Sequence, residues 1–197
     1  MALPINIHTH RTSATETTIR TVGIHPYDAA SATQAMLAKV EQDATEADAI
    51  GEIGLDFACD APREKQMEVF CAQLGIAERL QKPVVLHCVR SFEPIMEALG
   101  RVNVPAVIFH GFIGSPEQAA RAVERGYFLS FGERTQRSPK SVEALRSITL
   151  DRIFVETDES TMAIEQIYTE IAQLIGITAM ELMRRTRENF ERIFRTK

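Results

Sequence analysis

Short apolar runs of strand length alternate with stretches of helical spacing almost from end to end of the chain. That order is expected when parallel strands are joined by helical crossovers. The pattern predicts strands over 3–8, 19–25, 49–55, 83–89, 105–112, 126–131 and 152–158. Between them, 33–46, 63–81, 92–99, 116–125 and 139–148 carry helix-forming composition or helical apolar spacing. The clearest stripe joins Met67, Phe70, Leu74, Ala77 and Leu80. Ser115-Pro116-Glu117 and Ser138-Pro139-Lys140 each set a capping hydroxyl before a proline at the first helical position. After Asp158 the chain reads as helix only, over 164–175 and 179–194. No linker, repeat or low-complexity stretch interrupts it.

Polar residues capable of chemistry recur where the apolar runs end: His8 and His10, His25, Glu52, His87, His110 and Asp158. Barrel enzymes gather such residues at the carboxyl ends of many strands, whereas an open doubly wound sheet concentrates its ligand at one switch point, usually with a glycine-rich loop. Gly51-Glu52-Ile53-Gly54 lies within a strand run and is not such a loop. The expected fold is therefore α/β, a TIM-type (β/α) barrel.

A chain of 197 residues with 45% hydrophobic and 25% charged residues suffices for one substantial core, so a single domain over 1–197 is expected. Met1 to His8 carry no export signal, and no run approaches the roughly 20 apolar residues of a membrane span. Cys59, Cys71 and Cys88 are odd in number and lack close-paired zinc spacing, which fits bystander thiols in a reduced, cytoplasmic setting. A net charge of -5 argues against a wide duplex-binding surface. It leaves room for a small contact with a strand end, where bound divalent cations would supply the attraction for phosphate.

Side chains along a strand alternate faces, so His8 and His10 project to one side, about 7 Å apart along the backbone, and can share a metal. Two unconnected surface histidines are the competing account. Parity puts Glu52 on the face of Gly54, His87 with Val85 and Val89, and His110 with Ile108 and Phe112. Asp158 ends an apolar strand, where an unpaired carboxylate is costly, so a cation or a set of donors is expected beside it, unless it caps a helix. Glu156 and Asp56 read as structural hydrogen-bonding groups. His25, before the rigid Pro26, is either a turn residue or a donor to a substrate phosphate. Arg90 is either a surface arginine or a phosphate clamp, and Arg134 and Arg137 are weaker candidates of that kind.

Together, His8-Thr9-His10, Gly23-Ile24-His25-Pro26, Gly51-Glu52-Ile53-Gly54-Leu55-Asp56, His87 with Arg90, His110-Gly111-Phe112 and Glu156-Thr157-Asp158 resemble the TatD family of metal-dependent DNases. The closing Asn189-Phe190 before Ile193-Phe194 extends the resemblance over nearly the whole chain. The resemblance implies a barrel with two divalent ions, one held by His8, His10, Glu52 and Asp158, the other by Glu52, His87 and His110. Glu52 would bridge them, Asp158 would orient or deprotonate the attacking water, and His25 and Arg90 would hold the scissile phosphate. No lysine lies at a candidate strand end, against the modified-lysine bridge of many related amidohydrolases. Only twelve residues separate His10 from Gly23, fewer than is usual in the family, so the barrel is expected to be shortened at its N-terminal side, with seven or eight strands. Glu159-Ser160 stands where the family commonly shows a small residue and proline.

The function expected is phosphodiester hydrolysis of DNA, end-directed and on single strands or strand ends, with two ions activating water. Zinc, manganese and nickel suit the mixed donors; magnesium would need more oxygen ligands. An ester or amide hydrolase, such as an aminoacyl-tRNA deacylase, and a non-catalytic metal-binding protein are the alternatives. No membrane partner is expected.

Overall fold

A computed structural model describes residues 3–11 and 13–194. Its strands are β1 (Thr21–Val22), β2 (Ala49–Asp56), β3 (Val84–Val89), β4 (Val107–Phe109), β5 (Phe128–Phe131) and β6 (Ile153–Val155). The helices are α1 (Gln34–Asp43), α2 (Arg63–Leu80), α3 (Phe92–Leu99), α4 (Pro116–Glu124), α5 (Pro139–Ser147), α6 (Ile164–Ile175) and α7 (Ala179–Phe194). Strands and helices alternate through β6, and the paired strands described below are parallel. Two compact units divide the chain: Arg20–Phe109, and Met1–Ile19 together with His110–Lys197. No helix among the described residues is long and apolar enough to cross a membrane.

In the unit Arg20–Phe109, the strands pair in the order β1, β2, β3, β4. β2 is buried along its length except at Glu52, as suits a parallel strand covered on both faces. Three residues of β2 (Ile50 to Ile53) span the distance of two on β3 (Val84 to Leu86), so the register shifts around Glu52. The regular period-two alternation read from the sequence therefore fails there, and the irregularity re-aims Glu52. Gly54 is needed next to it. Its φ is +137°, and a Cβ would lie 2.1 Å from the His87 carbonyl oxygen.

β1 is much shorter than the predicted 19–25 because a side chain takes over from the ladder. The buried Gln73 on α2 accepts from the Ile24 N–H (2.6 Å) and donates to the Ile24 carbonyl (3.0 Å). One heptad earlier, buried Gln66 accepts from the Asp56 N–H (2.7 Å) and donates to the Asp56 carbonyl (2.8 Å) and to that of Ala61 (2.8 Å). The inward face of α2 is therefore Gln66, Val69, Phe70, Gln73, Leu74, Ile76 and Ala77. Met67 and Leu80, members of the predicted stripe, are only half-buried.

In the other unit, β5 pairs with β6, and Ile5 to Thr9 runs beside β6 without forming a regular strand. Ile7 N–H donates to Val155 (3.1 Å), Asn6 N–H to Thr17 (2.8 Å), and Thr9 bridges Asp158 in parallel. The predicted strand 3–8 is thus realised as isolated bridges. Here too an amide completes the pairing: buried Asn6 accepts from Thr157 N–H (3.0 Å) and donates to its hydroxyl (2.8 Å). Asn189 on α7 donates to the carbonyls of Leu150 (2.9 Å) and Ile153 (2.8 Å). The Tyr168 hydroxyl on α6, fully buried, bonds Ile5 (2.8 Å) and Thr186 of α7 (2.7 Å). Ser115 and Ser138 cap α4 and α5 as expected, each accepting from the third helical N–H at 3.2 Å.

Gln73→Leu keeps a side chain of similar bulk but strands two buried backbone groups. It is expected to cost about 2–6 kcal/mol, at about 1–3 kcal/mol per unsatisfied group, read as a lower urea midpoint. Gln81→Ala, on the exposed helix end, should shift that midpoint little.

Candidate metal centre

Backbone bonding brings the first cluster together. Asp158 N–H donates to the His8 carbonyl (3.1 Å), and His10 N–H donates to the Asp158 carbonyl (3.2 Å). Asp158 has φ +53°, a left-handed conformation that aspartate adopts more readily than most residues. Its Oδ1 lies 3.4 Å from His10 Nε2 and 3.8 Å from His8 Nε2. The His8 ring is 5.1 Å from that of His10 and 4.4 Å from that of His110, centre to centre. His8, His110 and Glu156 are buried, whereas His10 is 54% exposed at its side chain and opens the cluster to solvent. His8, His10 and Asp158 form one group whose donor atoms all lie within 4.8 Å of one another; His110, Glu156 and Asp158 form another.

Burial, followed by the Glu156 charge, raises the Asp158 carboxyl above its ordinary range against the pull of His110, His8 and Arg134. For Glu156, burial also works upward, but His110 and His8 outweigh it and hold the carboxyl below the usual range. The two acids are thus driven apart: Glu156 keeps its charge beside the imidazoles, and Asp158 is the one that holds a proton more readily. Glu156 Oε1 lies 3.4 Å from His110 Nδ1.

The second cluster lies in the other unit and is built on β2 and β3. His87 Nδ1 is 2.6 Å from Glu52 Oε1, and its Nε2 is 3.0 Å from Asp56 Oδ2. A neutral imidazole has one N–H, so it can donate to only one of these acids. With Asp56 receiving the Nε2 proton, Nδ1 presents its lone pair toward Glu52, so both are oriented as metal donors. Burial favours a neutral Asp56, yet the bonds from His87 and from Ala58 N–H (2.7 Å) prevail and keep its carboxyl below the ordinary range.

His25 Nε2 lies 3.3 Å from Glu52 Oε1, so His25, Glu52 and His87 also converge. However, His25 Nδ1 accepts from Tyr27 N–H at 3.2 Å. That uses the lone pair of the neutral ring and makes Nε2 the N–H. His25 is therefore suited to donating a hydrogen bond, not to ligating a metal. Arg90 is exposed directly after β3, with φ +53°.

These donors fit a divalent metal of the zinc, manganese or nickel kind: imidazole nitrogens and carboxylate oxygens converge in each unit, and two imidazoles face a buried acid. Among the described residues, no cysteine belongs to these donor groups. Burial pushes the Cys88 thiol up to about 11. Sequence reasoning gave Asp56 and Glu156 a structural hydrogen-bonding role without identifying their histidine partners. It missed Tyr27, whose ring lies 4.3 Å from that of His25 and 5.9 Å from that of His87. Its position two residues after His25 was the available signal. Arg134, a weaker phosphate-clamp candidate from the sequence, has its NH1 3.9 Å from Asp158 Oδ2.

The family described as TatD related DNase matches residues 2–195. The chain is 30% identical to the uncharacterized metal-dependent hydrolase YabD of Bacillus subtilis, covering 88% of this chain and 76% of the relative. It is also 30% identical to the 3'-5' ssDNA/RNA exonuclease TatD of Pectobacterium atrosepticum, covering 89% and 77%. Relatives named as deoxyribonucleases in zebrafish, human and mouse are longer, and the chain spans 55–61% of them. The crystal structure of YjjV, the TatD homologue of Escherichia coli, superimposes with a TM-score of 0.83 at 25% identity, covering 94% of this chain and 79% of that one. The α/β, TIM-type class expected from the sequence stands, with six regular strands among the described residues.

Carboxylates that orient ligating histidines typically set metal affinity by about 10- to 100-fold. Asp56→Asn and Glu156→Gln are each expected to weaken metal binding within that range in competition with a chromophoric chelator, with the circular dichroism spectrum retained. Unchanged affinity in both would remove the orienting role.

Proposed function

The chain belongs to the TatD related DNase family of metal-dependent hydrolases, and on that premise we propose that it cleaves phosphodiester bonds of DNA from a strand end, with two divalent ions as cofactors. The observation that carries this reading is the convergence of His8, His10 and Asp158, all with donor atoms within 4.8 Å. His110 would join them as a ligand, and Glu52 and His87 would ligate in the other unit. The sequence pattern supports Glu52 serving both ions.

When bound, divalent ions acidify water and offset phosphate charge. The chain's own groups do the rest. Asp158, raised by burial and by Glu156, is placed to accept a proton from the attacking water. His25 directs its Nε2–H to a phosphate oxygen, and the Arg90 guanidinium pairs with the same group. Asp56 and Glu156 hold the His87 and His110 rings in one orientation. The net charge of -5 supports a threaded single strand over a long duplex. A cytoplasmic setting belongs to the same reading, supported by three free thiols, Cys59, Cys71 and Cys88.

The test uses protein stripped by chelation and reloaded with one metal at a time. Its substrates are single-stranded DNA labelled at either end, duplex DNA, and an ester panel that includes aminoacyl-tRNA. Stepwise, metal-dependent shortening of the single strand is expected. Glu52→Ala and Asp158→Asn should each reduce it to background while the protein stays folded. Cleavage retained by either variant contradicts its role. Turnover of esters alone would make the chain an ester hydrolase, and tight metal binding without turnover a metal-binding protein.

A further inference from the structure

Within the unit that holds His8, His10 and Asp158, a cavity of about 240 Å³ opens beside Asp158. Its wall includes Gly111, Phe112, the 57% exposed Ile113, and Arg134 and Arg137 from the turn after β5. The same wall carries Glu133, Glu156 and Glu159, so a polyanion entering it meets few cations from the protein itself. The two arginines differ. Arg137 is tied to Glu133, which also accepts from Ser160 Oγ (2.6 Å), so this carboxylate staples the turn to the segment following Asp158. Arg134 is 64% exposed, with one nitrogen 3.2 Å from Glu159 Oε2 and another 3.9 Å from Asp158 Oδ2. Glu159 is itself 70% exposed. An ion pair so open to solvent contributes little and yields easily to a stronger anion.

We propose that Arg134 is a substrate-binding residue that holds a phosphate of the nucleic-acid strand beside Asp158, and that Glu159 is its resting counter-ion, which weakens binding by competing for the guanidinium. The inference rests on the nuclease reading above and deepens it by naming a specificity pair. The planar fork of arginine suits two phosphate oxygens, and the guanidinium already reaches toward the carboxylate where the chemistry is assigned. The staple through Glu133 fixes the turn that carries it, while the side chain itself stays free to swing from one anion to another.

Kinetics and fluorescence-anisotropy binding on an end-labelled single-stranded oligonucleotide, with metal and at several salt concentrations, test this. Arg134→Ala is expected to raise KM and the dissociation constant about 10-fold or more, leave kcat within a few-fold, and reduce the salt slope by about one. Arg134→Lys should recover part of the affinity. Glu159→Gln should tighten binding a few-fold, and the double variant should match Arg134→Ala, because Glu159 acts only through Arg134. Arg101→Ala, an equal charge loss at the exposed end of α3, controls for general electrostatics. If the parent protein cleaves DNA and Arg134→Ala keeps its KM and salt slope, the inference falls alone. If the double variant binds more tightly than Arg134→Ala, Glu159 acts independently and the pairing falls. If the parent neither binds nor cleaves DNA with any metal, the nuclease reading falls and takes the phosphate clamp with it.

Discussion

Backbone groups at the ends of short parallel strands have no ladder partner, and burying them unpaired is costly. This fold meets that constraint with side-chain amides. Gln73 holds both backbone groups of Ile24, Gln66 those of Asp56, and Asn6 the N–H and hydroxyl of Thr157. Each of these residues adjoins or is a residue of the candidate centre: His25, Asp56 itself, and Asp158. An amide has a donor and an acceptor a fixed distance apart, so it fixes the strand end in position as well as satisfying it. The strands can then stop early, freeing the next side chain for chemistry.

The same electrostatic device occurs in both units. Asp56 faces His87 and Glu156 faces His110, and in each case the carboxylate is held below its ordinary range by the imidazole against the effect of burial. The result is a ring whose orientation is fixed by the acid it faces. Asp158 behaves oppositely, because burial and then the Glu156 charge outweigh the pull of His110, His8 and Arg134. Each unit thus contains anchored acids that orient and an acid or lone pair that invites a positive charge.

Helices were the more legible part of the sequence. α3, α6 and α7 span the predicted residues, and α4 and α5 begin at the serine-proline signals, since capping is local chemistry. Strand extent was less legible. The runs 3–8 and 19–25 have strand-like apolar residues, but Asn6 and Gln73 perform part of the pairing from outside the run. The face of α2 was read in part, with Phe70, Leu74 and Ala77 buried as expected, because hydrophobic spacing cannot register a buried glutamine whose polar atoms are satisfied by a distant backbone. At the site, the residue types at strand ends were readable, whereas the register shift at Glu52 defeats period-two counting. Asp56, Tyr27 and Arg134 take their meaning from partners far along the chain or across a turn, which no spacing rule contains.

Charge ties these features to the chemistry. In the cluster around Asp158, two buried or nearly buried acids share one neighbourhood, and they cannot both ionise without cost. Glu156 wins the imidazole contacts, so Asp158 is the acid that takes up a proton more readily. A cation bound by Asp158 would compete with a proton there, so metal affinity would fall on acidification. Under the proposed reading, a chain of net charge -5 would attract phosphate through the cations that its acids hold.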